Sequence, residues 1–306
     1  DHRTVVDRSI RTLAWRSTRT GRSGIRGAGY CGDTTQAGRV APTPTSLMTD
    51  GSPPIDGMVV GRGHYRTASP HPTDSLNVVS WNIRFGVRIE AAAQLLNEHE
   101  ELRNADIVLL QEMDEAGTDR IAEVLGLDYV YGAPGVHQQS GRDFGNAVLA
   151  RWPLGRPEVY RLPHQSAVRG QARVLVAASV DTGGGPMLVG SVHTEVPSLS
   201  SPKRRRQFDE IAVAATRWEG KPLVIGGDFN TMTSRGIRTL TDRLSVVGAT
   251  RVSANSGPSL RRGGQEFTLD HVFARGWEPL ATGVVHGSEA SDHRPLWVRL
   301  RSLGYD

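Results

Sequence analysis

The chain has 306 residues, 38% of them apolar and 22% charged, enough for a sizeable buried core in a globular protein. Its single cysteine, Cys31, excludes an intramolecular disulfide, no Cys/His spacing matches a zinc site, and no run approaches the roughly 18 apolar residues of a membrane span. Of 36 basic and 32 acidic residues, 10 arginines and 6 aspartates fall up to Ser75, which leaves 26 of each sign from Leu76 onward, so the net charge of +4 gives the patterned region no polyanion-binding excess.

Residues 1 to 75 are rich in Arg, Gly, Ser, Thr and Pro and lack a helical or strand period. They are expected to be a disordered or little-structured tail, dispensable for folding and catalysis. No apolar stretch of a secretory signal is evident in them, so a soluble, cytoplasmic monomer is the default expectation.

From Leu76 the pattern changes. Short apolar-rich segments at Leu76 to Asn82 and Ala105 to Gln111 flank a helical stretch at Glu90 to Arg103, and a second helix is expected at Thr118 to Leu125. Further strands are expected at Asn146 to Ala150, Ala172 to Val180 and Met187 to Val192. A third helix runs from Ser200 to Trp218, with Phe208, Ile211, Ala212 and Ala215 on one stripe and Ser200 as its cap. Strands at Leu223 to Gly227, Thr268 to Phe273 and Leu296 to Leu300 complete the series. Strands joined both by helices and by direct links predict an α/β sandwich with two packed sheets, and residues 76 to 306 are expected to form one catalytic domain.

Polar residues recur at the carboxyl ends of these strands: Asn82, Glu112, His193 and Asp228. Side chains placed there project into loops held by a rigid sheet, where α/β proteins gather ligands and catalysts. In "GGDFN", Asp228 and Asn230 stand two apart and share a direction in extended backbone. "TLDHVF" supplies Asp270, and "SDHRPLWVRL" puts Asp292 and His293 before the last strand. A hard cation such as Mg²⁺, or Mn²⁺, takes a few oxygen ligands at about 2.1 Å and keeps waters for the rest, so Glu112 with Asn82 or Asp292 would suffice.

The blocks "VVSWNIRFG", "DIVLLQEMD", "FGNAVLARWPL", "SVHTE", "VIGGDFNTM", "LDHVFARG" and "SDHRPLWVRL" occur in this order. Over about residues 76 to 300 the chain resembles the endonuclease/exonuclease/phosphatase family, which includes deoxyribonuclease I and neutral sphingomyelinases. The resemblance implies a four-layer α/β/β/α sandwich with two packed mixed β-sheets, deoxyribonuclease I-like, and an active site at one rim of the sheets. It implies Glu112 as principal metal ligand, Asn82 supporting the metal or the phosphate, and Asp292 as a further acid near the metal. Asp228 and Asn230 match the pair that positions the attacking water and holds the scissile phosphate. His293 matches the active-site histidine, Asp270 the carboxylate that orients it, and His193 a second histidine. "SVHTEV" stands where abasic-site repair enzymes of the family carry Tyr-x-Pro-Asn, which weighs against that role.

Other residues carry two readings. Asn146 is near the substrate or half of a Gly-Asn turn; Arg173 faces phosphate or snorkels at a strand end; Lys203 to Arg206 is a solvated helix start or meets nucleic acid or anionic lipid. His164 and His286 read as loop or surface histidines, and Trp81, Trp152 and Trp297 as packing. The activity expected is metal-dependent hydrolysis of a phosphoester. A nuclease is favoured narrowly over a phosphodiesterase or phosphatase acting on a lipid headgroup or small phosphoester, and more clearly over a silent binding module, which has no chemical need for the whole acidic and histidine set.

Overall fold

In the computed structural model the described residues are 58–66, 73–137, 141–165, 167 and 171–304. Most of the expected tail, with Cys31 and Met48, lies outside them. In chain order the elements are β1 (Val59–Gly63), β2 (Ser75–Asn82), α1 (Ile89–Glu98), β3 (Ile107–Met113), α2 (Glu115–Leu125), β4 (Asp128–Ala133), β5 (Gly145–Ala150), β6 (Glu158–Arg161), β7 (Val174–Asp181) and β8 (Pro186–His193). They continue with α3 (Ser201–Thr216), β9 (Leu223–Asp228), α4 (Ser234–Ser245), β10 (Thr250–Arg251), β11 (Leu260–Arg262), β12 (Gln265–Phe267), β13 (Asp270–Arg275), β14 (Trp277–Val284) and β15 (Leu296–Ser302).

One sheet has the order β1-β4-β5-β3-β2-β15-β14 and the other β10-β13-β9-β8-β7-β6, with β11-β12 a separate hairpin. Both large sheets are mixed. Each contains one parallel pair, β2 with β3 and β8 with β9, and each pair brackets a crossover helix, α1 or α3. The strand period of two sorts the apolar residues into three layers. Val78, Leu109, Val148, Val176, Val189 and Val272 meet between the sheets. Val79, Leu110 and Tyr131 turn the other way and pack with Ala92, Leu96 and Ile121 of α1 and α2. On the far side Leu188, Val192 and Phe273 pack with Phe208, Ile211, Leu240 and Leu244 of α3 and α4. The four-layer α/β/β/α order follows from those three seams.

The eight expected strands and three helices are present with ends moved by a few residues. The burial stripe of α3 is Phe208, Ile211, Ala214 and Ala215, with Ala212 only partly covered, and Ser200 stands at the N-cap without a side-chain bond. β1 corrects the expected boundary at residue 75, because it pairs along its length with β4 as an edge of the first sheet. It escapes notice in the sequence because two of its five residues are glycine and a single pairing edge needs no apolar period. α4 is not expected from the sequence because it is mostly polar, its covered face being little more than Leu240 and Leu244. β14 carries Pro279 at a register shift, which an edge strand tolerates.

His271, on β13, is fully buried and shares a 2.7 Å hydrogen bond with Thr231 Oγ1. Burial, reinforced by the Arg251 cation, pulls its pKa down to about 3. The unfolded chain takes up the proton near pH 6.5 while the native protein refuses it, so stability is full above that pH and declines toward pH 3. His271→Gln is expected to remove up to one proton's worth of this slope, about 1.4 kcal/mol per pH unit. Urea melts between pH 7 and 4 check it, and unchanged slopes would refute it.

Candidate active site

Because β2 with β3 and β8 with β9 run parallel, their carboxyl ends lie side by side at one rim. Asn82 stands opposite Gln111, and His193 opposite Asp228. The antiparallel strand β13 enters at the same rim and sets its first residue, Asp270, opposite Asp228. His293 precedes β15 and is fixed there by its backbone, since the Trp81 indole donates to the His293 carbonyl at 2.9 Å and Ser291 Oγ donates to the Asn82 carbonyl at 2.7 Å.

Asp228 is the focus of the cluster. Its Oδ1 accepts the Asn230 backbone N–H at 2.9 Å, and its Oδ2 accepts Asn82 Nδ2 at 3.1 Å, a bond that crosses from one sheet to the other. Within reach of Oδ2 lie His193 Nε2 at 3.5 Å and His293 Nε2 at 3.7 Å. Burial raises the Asp228 pKa above the carboxylate range against the pull of His293, with Asp270 and Glu112 adding to the rise. His293 Nδ1 meets Asp270 Oδ2 at 2.8 Å. Burial opposes the imidazolium, yet the carboxylates of Asp270 and Asp228 outweigh it and hold this histidine well above its usual pKa.

The second histidine is backed differently. His193 Nδ1 lies 3.1 Å from Arg173 Nη1, and a guanidinium can only donate. His193 therefore accepts at Nδ1 and carries its proton on Nε2, toward Asp228 and Glu112. Arg173 is buried, with Nη2 3.5 Å from Glu195 Oε1, and its guanidinium lies over the Phe144 ring. One imidazole is thus backed by a carboxylate and the other by a cation.

Glu112 is presented by a local break in β3. The register with β5 slips between Gln111 and Met113, and Glu112 takes φ 58° at the bulge. Gln111 and Met113 stay buried on either side, Gln111 bonded to Ser191 Oγ at 3.0 Å, while the Glu112 carboxylate emerges 14% exposed and 4.0 Å from His193 Nε2. Asn230 also has positive φ, at 51°; its Nδ2 donates to the Thr194 carbonyl and its own carbonyl accepts from Arg204. Gly227, before Asp228, has φ 152°, and a Cβ there would lie 1.8 Å from the Val192 carbonyl oxygen. The second glycine of "GGDFN" lets β9 press close enough to β8 to juxtapose Asp228 and His193.

Seven of the eight candidate residues are brought together in this way: Asn82, Glu112, His193, Asp228, Asn230, Asp270 and His293. Asp292 is more open, its side chain 49% exposed, 4.0 Å from Arg84 Nε and 3.4 Å from Ser291 Oγ, and its charge still acts on His293. Asn146 lies in a strand, not a turn, and bonds the Val174 carbonyl across the sheets at 2.8 Å. The basic run divides, since Lys203, Arg205 and Arg206 face solvent while Arg204 turns inward to the Glu195, Phe229 and Asn230 carbonyls. His164 is half-buried, with its carbonyl bonded to Gln207, and His286 is exposed. Trp81 and Trp152 are buried and Trp297 partly so. Glu195 and Phe144 were not singled out beforehand. An acid two residues beyond a strand-end histidine was the available signal for the first.

The donor set suits a hard divalent cation. Glu112 offers a partly open carboxylate, Asn82 Oδ1 accepts only the Arg84 N–H at 3.0 Å, and Asp270 Oδ1 is a buried carboxylate oxygen with no hydrogen-bond partner. Ligand atoms of Asp228, Asp270 and His293 also lie within 4.8 Å of one another. In that trio one imidazole proton already bridges to Asp270, so Glu112 with Asn82 is the better fit.

Two packed mixed sheets thus carry carboxylates, amides and histidines together at one rim. Residues 79–293 match the endonuclease/exonuclease/phosphatase family, and the chain belongs to it. The structure is similar to family members from Bacteroides vulgatus (TM-score 0.60, 18% identity, 75% of this chain and 100% of that one) and Beutenbergia cavernae (TM-score 0.56, 21% identity, 75% and 72%). It is similar also to D. rerio TDP2 complexed with a single-strand DNA product (TM-score 0.58, 16% identity, 75% and 100%). Among curated proteins, a UPF0294 protein of Vibrio cholerae is 37% identical over 84 residues, so the match spans 27% of this chain and 28% of the relative. Among the described residues no helix is long and apolar enough to cross a membrane.

Proposed function

We propose that this protein is a Mg²⁺-dependent nuclease that cleaves phosphodiester bonds with activated water. The observation that carries the reading is the convergence on Asp228 Oδ2 of Asn82 Nδ2 and two imidazole Nε2 atoms, all within 3.7 Å, with Glu112 at the mouth. Asp228 takes the proton from water, since burial makes it a stronger base than an ordinary carboxylate and Asn82 and Asn230 fix its two oxygens. His293, turned by Asp270, presents a protonated Nε2 to the phosphoryl oxygens. His193, with Nδ1 occupied by Arg173, offers a neutral N–H donor from the other side. A divalent cation held by Glu112 and Asn82 would supply positive charge to the phosphoryl group.

The family alone is equally served by a phosphodiesterase or phosphatase acting on a lipid headgroup or small phosphoester. The likeness to the DNA-bound TDP2 structure supports a nucleic-acid substrate, and the electroneutral catalytic region supports a short contact with it rather than a long electrostatic track. Supercoiled plasmid, single-stranded DNA, RNA, sphingomyelin and inositol phosphates assayed with Mg²⁺, each against a chelator control, test the reading. Cleavage of a nucleic acid supports it, and turnover confined to the lipid or the inositol phosphates would overturn it.

A further inference from the structure

Beyond Asn82 the chain turns through three successive positive-φ residues, Arg84 (46°), Phe85 (58°) and Gly86 (59°). A bulky aromatic in the left-handed region is strained, and strain of this sort persists only where the surroundings enforce it. The enforcement is visible: the Arg84 N–H is held by Asn82 Oδ1 at 3.0 Å, and the Phe85 carbonyl accepts Arg142 Nη2 at 2.5 Å while Arg142 Nη1 is anchored on Asp114 Oδ2 at 2.6 Å. The turn puts the Phe85 ring 5.2 Å from both the His137 and Phe144 rings, and His137 and Phe144 are 5.3 Å apart. The Phe144 ring in turn lies 6.4 Å from the His193 ring.

Phe144 is nearly covered, but Phe85 and His137 are only half-buried, although Ile83 two residues earlier is completely buried. Core packing needs neither a strained turn nor a half-open ring. We propose that Phe85, His137 and Phe144 form a stacking platform for an unpaired base beside the scissile phosphodiester, so that the substrate is a single-stranded nucleic acid. This rests on the nuclease reading of the same site. Two half-open rings, Phe85 and His137, seated on the nearly covered Phe144 beside a catalytic imidazole, suit a planar base one nucleotide from the phosphate, and stacking is indifferent to sequence because every base has a π-face. An acyl chain would be served by aliphatic walls.

The test compares a single-stranded DNA oligonucleotide with the same strand carrying tetrahydrofuran abasic sites around the cut, using the full chain and Mg²⁺. Phe85→Leu keeps an apolar side chain and removes the ring. It is expected to lower kcat/KM about tenfold on the base-bearing strand, mainly through KM, and to leave the abasic strand unaffected; Phe85→Tyr should restore the rate. Should Phe85→Leu melt early, His137→Leu reads the same platform. Equal losses on the two strands, or no loss on either, would overturn the platform while leaving the nuclease standing. A wild-type protein that cuts neither strand but hydrolyses sphingomyelin or inositol phosphates would remove the nuclease reading itself, and the platform with it.

Discussion

His293→Ala is expected to lower turnover by about 10²- to 10⁴-fold with the fold intact, because it removes a positioned acid-base group. Asp270→Asn should do comparable damage, since the 2.8 Å contact between Asp270 Oδ2 and His293 Nδ1 sets the ring's tautomer and helps hold its proton. The two act as one unit, so the double variant should be little worse than the poorer single one. If the losses multiply, the residues work independently. The opposing view is that both are structural, Asp270 as a buried anchor of β13 and His293 as the entry to β15; it requires lower melting temperatures with unchanged turnover per folded molecule. Measuring both quantities on the three variants decides, and full turnover in either single variant would end the assignment.

Glu112→Gln should cost about 10³-fold in turnover, several kcal/mol of lost charge stabilisation, without unfolding the protein. The carboxylate stands at the mouth, 4.0 Å from His193, and its loss leaves no other partly open acid among the seven converging residues. Calorimetric titration with Mn²⁺ gives a readout independent of catalysis: the wild type should bind the ion and Glu112→Gln should bind it far more weakly. Equal binding by the two would place the cation elsewhere, the Asp228, Asp270 and His293 cluster being the alternative. Chelator should abolish wild-type activity, and excess Mg²⁺ should restore it.

The central strands and the residues at their carboxyl ends were legible because buried strands must be apolar throughout and the polar residue that ends them is conspicuous. β3 and β9 are of this kind, with every residue but Glu112 buried. The edges were not, since β1, β6 and β14 are partly exposed and owe their place to pairing rather than to burial. α4 was hidden by its polar sequence. The site was readable as a set of residue types, and the resemblance paired Asp270 with His293, but other partners came only from the fold: Arg173 behind His193 lies 20 residues away in sequence, and Asn82 bonded to Asp228 lies 146 away. The cross-sheet contact of Asn146 could not be foreseen while its strand and a turn were equally compatible with Gly-Asn.

Among the described residues, five other than glycine adopt positive φ: Arg84, Phe85, Glu112, His164 and Asn230. All except His164 surround the catalytic rim. Each holds its backbone at a cost of about 1 kcal/mol. Glu112→Gly would relieve that strain and remove a carboxylate that repels Asp228, so it should raise the melting temperature by a few degrees while destroying activity. Thermal endurance and catalysis therefore pull against each other at the same few positions. Selection of variants for heat tolerance alone would gather substitutions there first and drift toward a sturdier, inactive protein.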